Sequence, residues 1–358
     1  MYTGFCYISY LLIITILNKI VLANDIKEVQ FKSQLNSLSL AKELITNSIF
    51  LVHFQSALTI MASERDFPFN IPTDSKLNYI RYPQSFRTTT IQFSSDMQKI
   101  FSDIYSTMYH IQLAVKRIPN HIKTILKLIT AGSSKMNEKM LPTIINNIAR
   151  ISNENKILLN KTIDQLTNLF NFVNEIKQYT IDLSLTYNNY SSNKTDLILY
   201  NEFNSKNILE KISIIIQQMK KQYEQIVQLM NNIDIQENLN LFLNDEIIRF
   251  ISILYNIENN AYYFYQLSSI HMDILNRYVL DQIASIGRYT VLSSDDERLK
   301  NFSNLSQQMS NILYEVEQLF LERQNEFEIN SMTLQQAYEK LFDQFQNRSS
   351  TSKLLETK

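Results

Sequence analysis

Four histidines, His53, His110, His121 and His271, are the first side chains able to do acid–base or metal chemistry. A helical zinc site needs two histidines four apart on one face, and no HExxH occurs. A helical di-iron site needs a glutamate three residues before a histidine, and none stands there. His110 and His121 lie three helical turns apart, but Pro119 breaks the register between them. The four read as unrelated polar or half-buried residues. The acidic run Asp295, Asp296 and Glu297 has cation-binding groups, yet no second carboxylate cluster is fixed near it. Ser294 with Glu297 three residues on makes a capping box, and both aspartates then sit at the positive end of a helix dipole. Phosphate-binding loops, dinucleotide fingerprints and nucleophile elbows need clustered glycines, and the chain has 3 glycines, none clustered. The expectation is a protein without catalytic residues, metal or cofactor, hence not an enzyme.

Two segments point to surfaces instead. In Lys116–Ala131, Ile118, Ile122, Ile125 and Ile129 form a narrow helical stripe with Lys123 and Lys127 opposite. Lys116, Arg117, Lys135 and Lys139 extend the positive charge against the single acid Glu138. A basic amphipathic helix can lie on an anionic membrane or a partner. The plainer reading is a core face with a solvated back. The second segment is Tyr262-Tyr263-Phe264-Tyr265, with Tyr255 two turns earlier. Four consecutive aromatics cover the whole circumference of a helix, so some face a partner, a glycan or a membrane interface unless neighbours pack on every side. The connection Phe67-Pro68-Phe69-Asn70-Ile71-Pro72 alternates proline with apolar residues, which predicts a semi-rigid extended segment plugging a bundle end or serving as a recognition loop.

The elements that position these residues follow from the chain breakers. Of 5 prolines the last is Pro142, and beyond it stands one glycine, Gly287. Sheets need turns rich in both residues, whereas long helices do not. Helices are expected over Asp25–Arg65 with one break, then 87–118, 120–131, from 143 to about 187, 205–236, 239–286 and 295–347. Residues 66–86 form the proline-rich connection, 188–204 a polar loop and 348–358 a flexible polar tail. Gly132 and Gly287 read as left-handed residues just past helix ends. The last helix carries a heptad, Phe302, Leu305, Met309, Ile312, Val316 and Leu319, which slips and resumes at Leu334, Tyr338, Leu341 and Phe345. The helix from 143 uses Ile144, Ile148 and Ile151, then Leu159, Ile163, Leu166, Phe170 and Val173. The fold class expected is all-α: an elongated antiparallel bundle of about five to seven long amphipathic helices, partly coiled-coil-like.

Composition bounds the setting. Phe5–Leu17 is a compact apolar run, and Val21, Leu22 and Ala23 fit a signal-peptide cleavage site before Asn24, so residues 1–23 read as a leader and 24–347 as the bundle. An uncleaved anchor competes, but Asn18 and Lys19 interrupt the run short of the roughly 20 residues a span needs. Cys6, the only cysteine, leaves with the leader, so the secreted chain must rely on its core rather than disulfides. With 34 basic and 35 acidic residues the chain has no charge drive toward nucleic acid. Asn160, Asn189, Asn193, Asn301, Asn304 and Asn347 each fit the glycosylation sequon, about as many as the abundance of asparagine yields by chance. The functional expectation is a secreted structural or interaction protein with a protein partner or self-association. The alternatives are a membrane-acting pore-former or lipid-surface binder, which without a ready-made span must rearrange to insert, and a carrier of an apolar ligand between helices.

Overall fold

A computed structural model describes residues 39–63, 66–180, 205–231, 233, 247–283 and 295–356. Those residues are helical apart from short connections, and no strand occurs among them. By internal contacts the chain divides into Met1–Glu43 and Leu44–Lys358. Of the first part only one helical turn is described, in which Ser39 Oγ donates to Glu43 Oε1 at 3.4 Å. The leader, Gly287, Ser294 and the loop at 188–204 lie outside the described residues.

Among the described residues the helices are α1 (Ser39–Ser63), α2 (Phe86–Val115), α3 (Ile118–Ala131), α4 (Ser134–Tyr179), α5 (Ser205–Asn231), α6 (Ile247–Ile274) and α7 (Asp295–Glu356). A π-helical stretch, Leu275–Leu280, continues α6. Side-chain ladders show neighbours running antiparallel. Between α4 and α5, Ser152 Oγ donates to the Met230 carbonyl (3.0 Å), Ser213 Oγ donates to Asn174 Oδ1 (3.0 Å), and Lys177 pairs with Glu210. Between α6 and α7, Tyr278 meets Glu315, Tyr262 stacks on Phe327, and Tyr338 donates to Glu258 Oε2 at 2.7 Å. Between α1 and α5, Asn47 reaches Gln222 (3.2 Å), while Lys211 lies over the Phe54 ring at 5.4 Å.

Helix α1 is long and apolar enough to cross a membrane, which corrects the expectation that no such segment exists. Most of it is buried within the protein, so its apolar side chains serve the core. Gln55 keeps a donor there satisfied, giving hydrogen bonds to the Thr90 carbonyl (3.3 Å) and Ser94 Oγ (2.6 Å) of α2.

Several boundaries differ from the sequence reading. Helix α4 starts at Ser134 rather than 143, because Ser133 caps it by accepting from the Met136 N–H (3.4 Å). Pro142 therefore lies inside the helix. The preceding turn is largely exposed, so water can reach the carbonyl that loses its hydrogen bond. Gly132 is not left-handed: φ −77° and ψ 147° are extended. Its smallness matters for space, since a Cβ there would collide with the Leu128 carbonyl oxygen and the Asn137 side chain. Helix α7 runs to Glu356, so the expected flexible tail is helical to that residue.

The connection at 66–85 closes the junction between α1, α2 and α4. Asp66 accepts from the Phe67 N–H (3.0 Å), the Arg87 N–H (3.0 Å) and Ser85 Oγ (2.8 Å). Ser85 in turn caps α2 at the Thr88 N–H (3.0 Å). The Arg87 guanidinium donates to the Ala62 and Ser63 carbonyls (3.0 and 2.9 Å), satisfying the C-terminal end of α1. Phe67 stacks on Phe86 with centroids 4.7 Å apart, and Phe69 meets the same ring edge-on at 5.9 Å.

Candidate interaction surface

The aromatic run on α6 is used internally. Tyr263 and Phe264 are buried, and Tyr262 and Tyr265 are half-buried. Phe327 of α7 is clasped by them, stacked on Tyr262 (5.6 Å) and edge-on to Tyr263 (6.3 Å). The Tyr262 hydroxyl accepts from Gln266 Nε2 (2.7 Å) and Asn330 Nδ2 (2.6 Å). Neighbours on several sides therefore cover the run, and Tyr263 and Phe264 offer no free surface to a partner or membrane.

The isoleucine stripe of α3 is also interior. Ile118, Ile122 and Ile125 are fully buried and Ile129 half-buried, with α3 packed on α4 and α6. The basic back behaves differently. Lys116, Arg117, Lys123 and Lys127 are exposed, as are Lys135 and Lys139 on the first turns of α4. Met136 and Met140 stand exposed beside those lysines, four residues apart on one side of the helix. No acid occupies the first turn of α4. Lysines at the positive end of a helix dipole are electrostatically unfavourable, so this face gains from any acidic partner. His121, in the first turn of α3, has its pKa lowered by burial first, then by Arg117 and Arg150.

A complementary face lies on α7. Val316, Phe320, Phe327 and Tyr338 point inward. Tyr314, Leu321, Ile329 and Met332 point outward and are among the most exposed large apolar residues described, Tyr314 at 67% and Ile329 at 65%. At 100° per residue, Tyr314 and Met332 coincide, while Leu321 and Ile329 fall within about 60° of them. Glu315, Glu322 and Glu326 border one side of this stripe, and Glu317 and Glu328 the other. Arg323, paired with Glu326 at 2.8 Å, is the single base between residues 314 and 332. The sequence reading placed the inward seam correctly at Val316 and Tyr338 but missed Phe320 and Phe327. Their seven-residue spacing is the signal that finds them.

Of the sequon asparagines, Asn160 on α4 and Asn304 on α7 are exposed. Asn301 and Asn347 fall within α7, while Asn189 and Asn193 lie outside the described residues. Asp295, Asp296 and Glu297 form the first turn of α7. Among the described residues no three His, Cys, Asp or Glu side chains come together as a metal site. His110 is exposed, whereas His53 and His271 are buried on α1 and α6. His53 borders a cavity of about 20 Å³, between α1, the π-helical stretch and α7, which is room for one water and not for an apolar ligand. No protein-family model, curated protein or solved structure compared with the chain matches it.

Proposed function

We propose that this chain is a secreted, non-catalytic interaction protein that associates with further copies of itself. The acid-bordered apolar stripe of α7 on one copy would meet the lysine-bordered methionines at the start of α4 on the next. The observation that carries this reading is the presence, on one chain, of two exposed apolar faces framed by opposite charge. Opposite fields steer encounter and fix register, and the apolar centres supply the burial that an interface core needs. Because the two faces differ, the contact is heterologous and builds rings or open chains rather than a closed pair. Secretion rests on the apolar run Phe5–Leu17 followed by small residues up to Ala23.

The test is light scattering coupled to gel filtration at low and high ionic strength. Wild type should associate in a concentration-dependent way that salt weakens. Glu322→Lys with Glu328→Lys, and separately Lys135→Glu with Lys139→Glu, should each give monomers, and mixing the two variants should restore association. A monomeric wild type at every concentration and salt would remove the reading. Binding of the monomer to anionic vesicles, lost in Lys135→Glu with Lys139→Glu, would then assign the basic face to a lipid surface instead.

A further inference from the structure

A polar cleft of about 410 Å³ separates the connection at 78–81 from α2 and α4, and the self-association reading leaves it unused. One wall is unusually well fixed. Glu175 on α4 accepts three consecutive backbone N–H bonds, from Asn78 (2.7 Å), Tyr79 (2.7 Å) and Ile80 (2.8 Å). Gln92 on α2 continues the clamp, accepting from the Arg81 N–H (3.1 Å) and donating to the Tyr79 carbonyl (2.9 Å). Asn171 Nδ2 donates to the Tyr79 hydroxyl at 3.1 Å, leaving that hydroxyl a proton to give. A wall held this way is preorganised, so a ligand loses little entropy ordering it.

The floor is apolar, with Ile100, Leu169 and Phe172 each buried. The rim carries Arg81, Lys99 and Asp96, and among the described residues no ion pair engages any of these three side chains. Asn168 and Gln165 add amides, and Gln165 gives one of its two N–H donors to Asp103, which leaves its carbonyl oxygen to accept. The half-buried Tyr79 ring beside amides and a carboxylate matches a ligand ring with one apolar face and hydroxyls at its edge. Among the lining side chains Arg81 and Lys99 stand against Asp96, with the Glu175 and Asp103 carboxylates behind the wall, so an anion is held where it reaches the Arg81 guanidinium directly. A phosphate dianion fits poorly, since it would face Asp96 and the wall's N–H groups are already committed to Glu175 and Gln92. The volume lies within the roughly 300–1,000 Å³ of small-ligand clefts.

We propose that this cleft binds an acidic saccharide, its carboxylate paired with Arg81, its hydroxyls on Asp96 and Asn168, and its ring beside Tyr79. Ligand-observed NMR and calorimetry on the full chain, with glucuronate, a glucuronate-containing disaccharide and glucose, test it. Either acid probe should bind, with glucose weaker by about tenfold or more, and Arg81→Gln should cost about tenfold in affinity. Asn168→Ala, at an exposed position that does not threaten folding, should weaken binding of the acid probes as well. Binding of free glucuronate supports a free sugar acid as the ligand, and binding of the disaccharide alone supports a glycan. Glucose bound as tightly as glucuronate, no binding of either acid probe, or indifference of binding to Arg81→Gln overturns the proposal.

Discussion

Acid should unfold this protein through two buried imidazoles. His271 is 1% exposed with no protein partner on either ring nitrogen, and the Tyr223 ring lies 6.3 Å away. His53 is 6% exposed with Nδ1 unpartnered. Burial alone lowers their pKa values from 6.5 to about 3 and about 4. Below about pH 6.5 the unfolded chain takes up protons that the folded chain refuses. Stability present above that pH is therefore lost as pH falls, until the folded-state values are passed. Each pH unit removes up to about 1.4 kcal/mol per histidine. From about pH 6.5 to about pH 4 the pair gives roughly 6 kcal/mol, comparable with the whole stability of a typical domain. Glu258 acts in the opposite sense, since burial raises its carboxyl pKa against the bond from Tyr338. Comparing wild type with His271→Leu cancels that contribution. Urea titrations followed by circular dichroism, in steps from about pH 7 to about pH 4.5, should show the variant losing about half the pH slope. Its stability near neutral pH should be equal or better, because an unpartnered buried polar ring is replaced by an apolar one. Parallel slopes for the two proteins would refute the assignment.

Glu175→Ala should cost about 2–3 kcal/mol, because three N–H groups lose one charged acceptor. Amide exchange at Asn78–Ile80 should quicken more than elsewhere, and unchanged exchange there would show that the clamp is not needed. Phe327→Ala should cost about 3–5 kcal/mol, since a ring held between Tyr262 and Tyr263 leaves a cavity. Denaturant unfolding measures the loss, limited trypsin digestion at Arg323 reports whether α7 detaches, and a loss below about 1 kcal/mol would show that Phe327 does not anchor it.

Sequence alone determined that the chain is helical. The tract beyond Pro142, almost free of glycine and proline, holds most of α4 and all of α5, α6 and α7, because residues other than those two propagate a helix once it has started. Local chemistry also placed the end of α3 at Gly132 and the acids at the first turn of α7. Pro142 misled, since a proline marks a helix start only when no better cap precedes it, and Ser133 does. Tertiary structure decided which faces are buried. The run at Tyr262–Tyr265 fixes its own periodicity, but its cover comes from other helices, with Phe327 of α7 closing over Tyr262 and Tyr263. Tyr314, Leu321, Ile329 and Met332 stand outside the heptad, and the packing of α6 on Phe327 and Tyr338 at the opposite side of α7 leaves them exposed. The cleft beside Arg81 depends on Glu175, which is more than ninety residues away from the N–H groups it holds. Periodicity is set by neighbours along the chain, whereas burial and site assembly are set by neighbours in space, which a single sequence does not record.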